Sequence, residues 1–148
     1  IGDMLDVFQR TAGLLLALSQ ARSSLENVQH VPNFSPKIAE AQVYINDHYT
    51  EHLTLSQVAS HLNLNESYFR HLFKDEMQIS FKSYVTLLRL AHAQKLLIAS
   101  QRSINEIIQE VGYSNITQFY KIFELNYNLT PAEYRRRYRD SYADAPPL

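Results

Sequence analysis

Cysteine is absent from this chain of 148 residues. That excludes a disulfide framework and thiolate metal sites, and it fits a reducing compartment. Glycine occurs 3 times and proline 5 times, so long helices meet few breakers. The longest apolar run, Leu14–Leu18, is far short of the roughly 20 residues of a membrane helix. No secretory leader is visible, and the expected location is cytoplasmic, away from any membrane. Also missing are a nucleophile–base pair, a phosphate-cradling glycine loop and paired catalytic carboxylates. Neither catalysis nor a cofactor is expected. What remains is ordinary globular material, 45% apolar and 20% charged, in a length suited to one domain or two very small ones. Because the chain opens at Ile1, it is expected to be a piece of something longer.

A formal net charge of −1 taken alone argues mildly against a nucleic-acid partner. The charge is unevenly distributed. Residues 54–139 carry a net +4, while the remainder carries −5.

Residues 2–29 read as one helix with Met4, Phe8, Leu15, Leu18 and Leu25 close to a single stripe. Leu5, Val7, Leu14 and Leu16 surround that stripe, so the helix needs a partner. That partner is either outside this stretch of chain or the next helix, onto which the segment folds back. Residues 32–36 form a linker, at whose end Ser35 reads as an N-cap with Pro36 in the first helical position, opening a helix to about Tyr49.

From Thr54 the chain repeats itself. Thr54-x-x-Gln57 and Ser103-x-x-Glu106 are capping boxes 49 residues apart. Each opens a short amphipathic helix: Leu55, Val58, Ala59 and Leu62 in the first, Ile104, Ile107, Ile108 and Val111 in the second. The two helices stop at Asn63 and Gly112, residues that tolerate positive φ. Each unit restarts at a polar cap, Asn65 and Ser114, and one extra residue in the second corner raises the offset to 50. The restarted helices carry Phe69, Leu72 and Phe73 against Phe119, Ile122 and Phe123. A third cap also repeats, as Ser80 and Thr130, the latter with Pro131 and Glu133. Between the copies, 80–99 reads as one long helix with Phe81, Val85, Leu88 and Ala91 inward. The expected fold is all-α: two helix-turn-helix subdomains, 54–76 and 103–126, joined by a long central helix, with an additional N-terminal helix.

A helix-turn-helix needs a short first helix, a turn with a residue that tolerates the left-handed region, and a half-buried second helix. In the first copy Ser67, Arg70, His71 and Lys74 fall at i, i+3, i+4 and i+7, one outer face. Donor-rich side chains of this kind suit guanine edges and phosphates. In the second copy the face holds Thr117, Tyr120, Lys121 and Glu124, flanked by Gln118, whose amide can pair with adenine. Candidate base or groove contacts are therefore Ser67, Arg70, His71 and Lys74, then Thr117, Gln118, Tyr120 and Lys121. Asn65 and Ser114 mark helix N-termini, where backbone N–H groups favour anions, and are the candidate phosphate contacts. The competing reading is a helical protein–protein interaction module without DNA.

On the stretches LTLSQVASHLNLNESYFRHLFKDEMQISFKSYVTLLRLAHAQKLL and SINEIIQEVGYSNITQFYKIFELNYNLTPAEYRRRY, residues 37–138 resemble the DNA-binding domain of the AraC/XylS family of bacterial transcription regulators. The second stretch is the more specific, through its glycine, its aromatic–x–x–x–Phe spacing and its Thr-Pro-x-x-Tyr-Arg ending. Asn63 stands where the first turn often has glycine, and His71 where the family often has arginine. The resemblance implies double-stranded DNA as partner, with both units on one face of the duplex. Adjacent major grooves there lie roughly 34 Å apart, and a helix of about 20 residues spans about 30 Å. It further implies RNA polymerase as a partner of an activator, a homodimer formed through the upstream region, and a small-molecule effector for an upstream domain, with 1–31 as the tail of that region in an interdomain or dimer interface. Residues 139–148 are expected to be a tail.

His48 and His52 stand at i, i+4 but lack a third ligand, so no metal site is expected. Three glycosylation sequons, starting at Asn65, Asn115 and Asn128, read as chance in a chain without a secretory leader. Arg135–Arg139 reads either as a phosphate-binding segment or as a solvated helix end.

Overall fold

A computed structural model describes residues 33–143, so the helix expected over 1–31 lies outside the described residues. Those residues form seven helices: α1 (Pro36–His48), α2 (Leu55–His61), α3 (Glu66–Met77), α4 (Phe81–Ala99), α5 (Ile104–Glu110), α6 (Ile116–Tyr127) and α7 (Pro131–Ala143). The expected all-α architecture holds, and α7 runs on past residue 138 into the segment expected to be a tail.

Local chemistry sets the starts. The Thr54 hydroxyl accepts from the Gln57 N–H at 3.2 Å, while Gln57 Oε1 accepts from the Thr54 N–H at 2.8 Å. Ser103 and Glu106 repeat the exchange at 3.2 and 2.7 Å, and Thr130 and Glu133 at 3.2 and 2.8 Å. Hydrogen bonds from the capping residues hold the Glu106 and Glu133 carboxyls below the usual carboxylate range. These caps therefore support the fold above the ordinary carboxyl pKa and weaken as pH falls through the lowered one. Ser103→Ala is expected to cost about 1 kcal/mol, read as a lower urea midpoint with an unchanged slope.

The helix ends repeat as well. Asn63 (φ 55°) and Gly112 (φ 99°) occupy the two turns, and Gln78 (φ 60°) and Asn128 (φ 54°) terminate α3 and α6. The latter pair also lies 50 residues apart and is left-handed without glycine.

Each unit contains a leading helix, a helix-turn-helix and a closing helix. In the first unit α1 leads, burying Ile38, Ala41 and Ile45 completely. In the second unit Leu90, Ala93 and Leu97 of α4 take the same i, i+3, i+7 places, also with 0% exposure. The N-terminal half of α4 meanwhile closes the first unit, with the Tyr84 ring 5.4 Å from that of Phe73. Tyr134 of α7 does the same to Phe123 at 5.5 Å. Helix α4 thus belongs to both units.

That double duty corrects the expected inward stripe. Val85 is buried, Phe81 and Leu88 are half-buried, and Ala91 is exposed. At 3.6 residues per turn Ala93 lies roughly two and a half turns past Tyr84, on the opposite side, while Ala91 lies about two turns past it, on the same side. By Ala91 the first unit no longer covers that side, and the second unit packs on the other.

Candidate nucleic-acid interface

Helices α3 and α6 are each pinned by two fully buried rings, Phe69 and Phe73 in one, Phe119 and Phe123 in the other, with Leu72 and Ile122 half-buried beside them. Spacing of four residues puts each pair of rings on one side and turns the opposite side outward.

On α3 this brings Ser67, Arg70, His71 and Lys74 together, all exposed. Asn65 caps the helix, its side-chain oxygen accepting from the N–H groups of Ser67 and Tyr68 at 2.9 and 3.2 Å. Two of the donors expected to face a phosphate are thereby engaged. Arg70 Nη2 lies 2.8 Å from Glu66 Oε1, with 59% and 46% of the two side chains exposed. Exposed pairs at this spacing contribute only about 0.3–0.5 kcal/mol, so the guanidinium can turn to a base edge at little cost. His71 Nδ1 lies 2.7 Å from the Ser67 carbonyl. A carbonyl only accepts, so Nδ1 carries the hydrogen, and Nε2 is left to accept when the ring is neutral and to donate when it is charged.

On α6 Thr117, Gln118 and Lys121 are exposed, as is Glu124 toward the helix end. Tyr120 differs from expectation: it is half-buried and packs against the core of the second unit, leaving only part of its ring outward. Ser114 is also corrected. The cap is Asn115, whose side chain accepts from the Gln118 N–H at 2.9 Å, and Ser114 stays exposed in the turn. The extra residue of the second corner lies before the cap, so Asn115, 50 residues after Asn65, inherits its role.

Three exposed residues in the first turns of these helices escaped the sequence reading: Glu66, Tyr68 (58%) and Ile116 (41%). Glu66 was signalled by its i, i+4 spacing to Arg70. Tyr68 and Ile116 are apolar or aromatic residues off the buried stripe, and Ile116 can offer apolar contact to a thymine methyl.

The second turn is closely packed. A Cβ on Gly112 would lie 2.6 Å from the Thr50 carbonyl oxygen and 3.1 Å from Arg89 Nε. The neighbouring Tyr113 is 7% exposed, and burial raises its hydroxyl pKa, opposed by the facing Thr86 and Arg89 side chains. Among the described residues, no group of three metal-ligating side chains occurs, and no helix is long and apolar enough to cross a membrane.

Residues 58–137 match the family model described as a helix-turn-helix domain. Regulatory protein PocR of Salmonella typhimurium (strain LT2) is 36% identical over 105 residues, 71% of this chain and 35% of PocR. The C-terminal domain of AraT, a response regulator from Geobacillus stearothermophilus, superposes with a TM-score of 0.68 at 34% identity, covering 71% of this chain and 88% of that domain. The DNA-binding domain of the global transcriptional factor AdpA, solved with a target DNA, has a TM-score of 0.70 over 75% of this chain and 100% of that one; its 22% identity makes this a likeness of fold alone. The chain spans 35–50% of the length of the first curated relatives it matches.

Proposed function

The chain belongs to the AraC-type family of helix-turn-helix transcription regulators, and from that premise we propose that it is the DNA-reading part of a regulator that sets α3 and α6 into successive major grooves. The observation that carries the proposal is the duplicated outer face: two helices, each fixed by an equivalent pair of buried rings, turn exposed donors outward from one compact body. Helix α4 has 19 residues and so a length of about 28 Å, comparable with the groove repeat of roughly 34 Å. Arg70 and His71 read base edges in one groove, with Ser67 beside them and Lys74 on a phosphate. In the next groove Thr117 and Gln118 read bases, Lys121 neutralises backbone, and the outward part of Tyr120 packs on the sugar–phosphate wall. The exposed Arg136 and Arg137 of α7 supply further positive charge.

The complete regulator works in the cytoplasm. It dimerises through the region that includes 1–31, takes a small-molecule effector in an upstream domain, and engages RNA polymerase from DNA. A protein–protein module without DNA is disfavoured by the outer faces, which are mostly polar and carry Arg70, Lys74 and Lys121, with Tyr68, Ile116 and Leu125 standing singly where such a module needs a contiguous apolar patch.

Salt tests the reading. Affinity for duplex DNA is expected to fall about a hundredfold between 50 and 200 mM salt, since each neutralised phosphate adds about −0.9 to the logarithmic slope. Absence of binding, or binding indifferent to salt, removes the DNA-reading proposal.

A further inference from the structure

Reading two grooves requires the two recognition helices to keep a fixed separation and phase, and a shared helix alone does not supply that. Building on the two-groove reading, we propose that Arg89 is a positioning residue, which locks the second recognition helix to the first unit by holding loop 49–51 against the turn at Gly112.

Arg89 lies on α4 between the face that closes the first unit and the face that leads the second. Its Nε donates to the Tyr49 carbonyl at 2.6 Å and its Nη2 to the Glu51 carbonyl at 2.8 Å. These carbonyls follow the C-terminus of α1, where acceptors have no helical partner and the helix dipole favours a cation. The same guanidinium lies over the Tyr113 ring, 5.3 Å from its centroid. One turn along α4, His92 Nδ1 and the Tyr49 hydroxyl share a hydrogen bond of 2.9 Å. The loop is therefore clasped at two points by α4, and its Thr50 carbonyl meets the second unit where Gly112 leaves room for it.

The second unit provides an internal control. Arg135 of α7 makes a comparable clasp, tying the last turn of α4 to the loop entering α5: its Nε donates to the Leu97 carbonyl at 3.1 Å and its Nη2 to the Arg102 carbonyl at 2.6 Å. That clasp lies within one unit. Arg89 adds to the shared role a contact with the turn of the other unit. Lysine cannot reproduce it, because one ammonium does not span two carbonyls and stack flat on a ring.

The chain has no cysteine, so Asp75→Cys on α3 and Leu125→Cys on α6, both exposed, accept spin labels uniquely. Pulsed dipolar spectroscopy of the labelled chain without DNA is expected to give one narrow distance distribution. Arg89→Ala should broaden or shift it, while Arg135→Ala should leave it narrow. Should Arg89→Ala fail to fold, Arg89→Lys is read in the same way. An unchanged distribution in the Arg89 variant, or equal broadening by Arg135→Ala, overturns the proposal. The second arm uses the unlabelled chain and a duplex selected by it from a random pool, with and without one base pair inserted between the halves. The insertion should reduce binding of the unsubstituted chain by tenfold or more and that of Arg89→Ala by less than threefold; equal losses overturn the proposal. If the unsubstituted chain selects no duplex, the two-groove reading fails, while the label distances still report on the lock.

Discussion

Gly112→Ala is expected to destabilise the fold by about 2–6 kcal/mol, a large part of the 5–15 kcal/mol that holds a domain together. Two causes act together. At φ 99° the backbone is outside the regions that a residue with a Cβ adopts easily, a strain of about 1–3 kcal/mol. The new methyl would also sit 2.6 Å from the Thr50 oxygen and 3.0 Å from its carbon. Both are backbone atoms that cannot rotate aside, and overpacking of this kind costs about 1–3 kcal/mol more. The equivalent change in the first unit behaves differently. Asn63 has φ 55°, in the left-handed well that asparagine tolerates, so Asn63→Gly should move stability by no more than about 1 kcal/mol. Urea unfolding followed by circular dichroism checks both. A Gly112→Ala variant within about 1 kcal/mol of the parent would mean that the second turn does not approach Thr50 this closely.

The sequence disclosed whatever is decided locally. Capping boxes at Thr54 and Ser103, the stops at Asn63 and Gly112, and the paired rings of α3 and α6 each depend on residues within a turn or two of one another, and all stand where expected. Ser114 differs from expectation because two adjacent polar residues both qualify as a cap, and only the path of the chain decides which one reaches the N–H groups. Ala91 differs from expectation because a single helical stripe assumes one partner, whereas α4 packs against one unit with its first half and the other unit with its second. Tyr120 lies on the outer face by periodicity, yet its ring is large enough to lean into the core. The left-handed ends at Gln78 and Asn128 lack the glycine that usually announces them. Arg89 gave no signal, since its two carbonyl partners lie 40 and 38 residues away and backbone acceptors have no sequence signature. The part of the site that depends on the joint between the units was therefore legible only in three dimensions.

Arg70→Ala and Lys121→Ala are expected to fail differently on DNA. Arg70 presents a planar fork that can satisfy both acceptors of one guanine, and a good bidentate pair discriminates by about 1–3 kcal/mol. Its exposed pair with Glu66 lies along α3 and is weak enough for the carboxylate to be exchanged readily for a base edge. Removing the guanidinium should relax base preference in one half of the site, leaving the other half as selective as before. Lys121 is a point charge on a flexible stem, exposed on a helix whose neighbouring Gln118 and Thr117 are better suited to bases. Its loss should weaken binding to all sequences more evenly and lower the logarithmic salt slope by about one unit. Selection from a random duplex pool with each variant, followed by salt titration of the selected sites, separates the two outcomes. The assignment of roles is wrong if Arg70→Ala keeps every position as selective as before, or if Lys121→Ala scrambles one half-site while leaving the salt slope untouched.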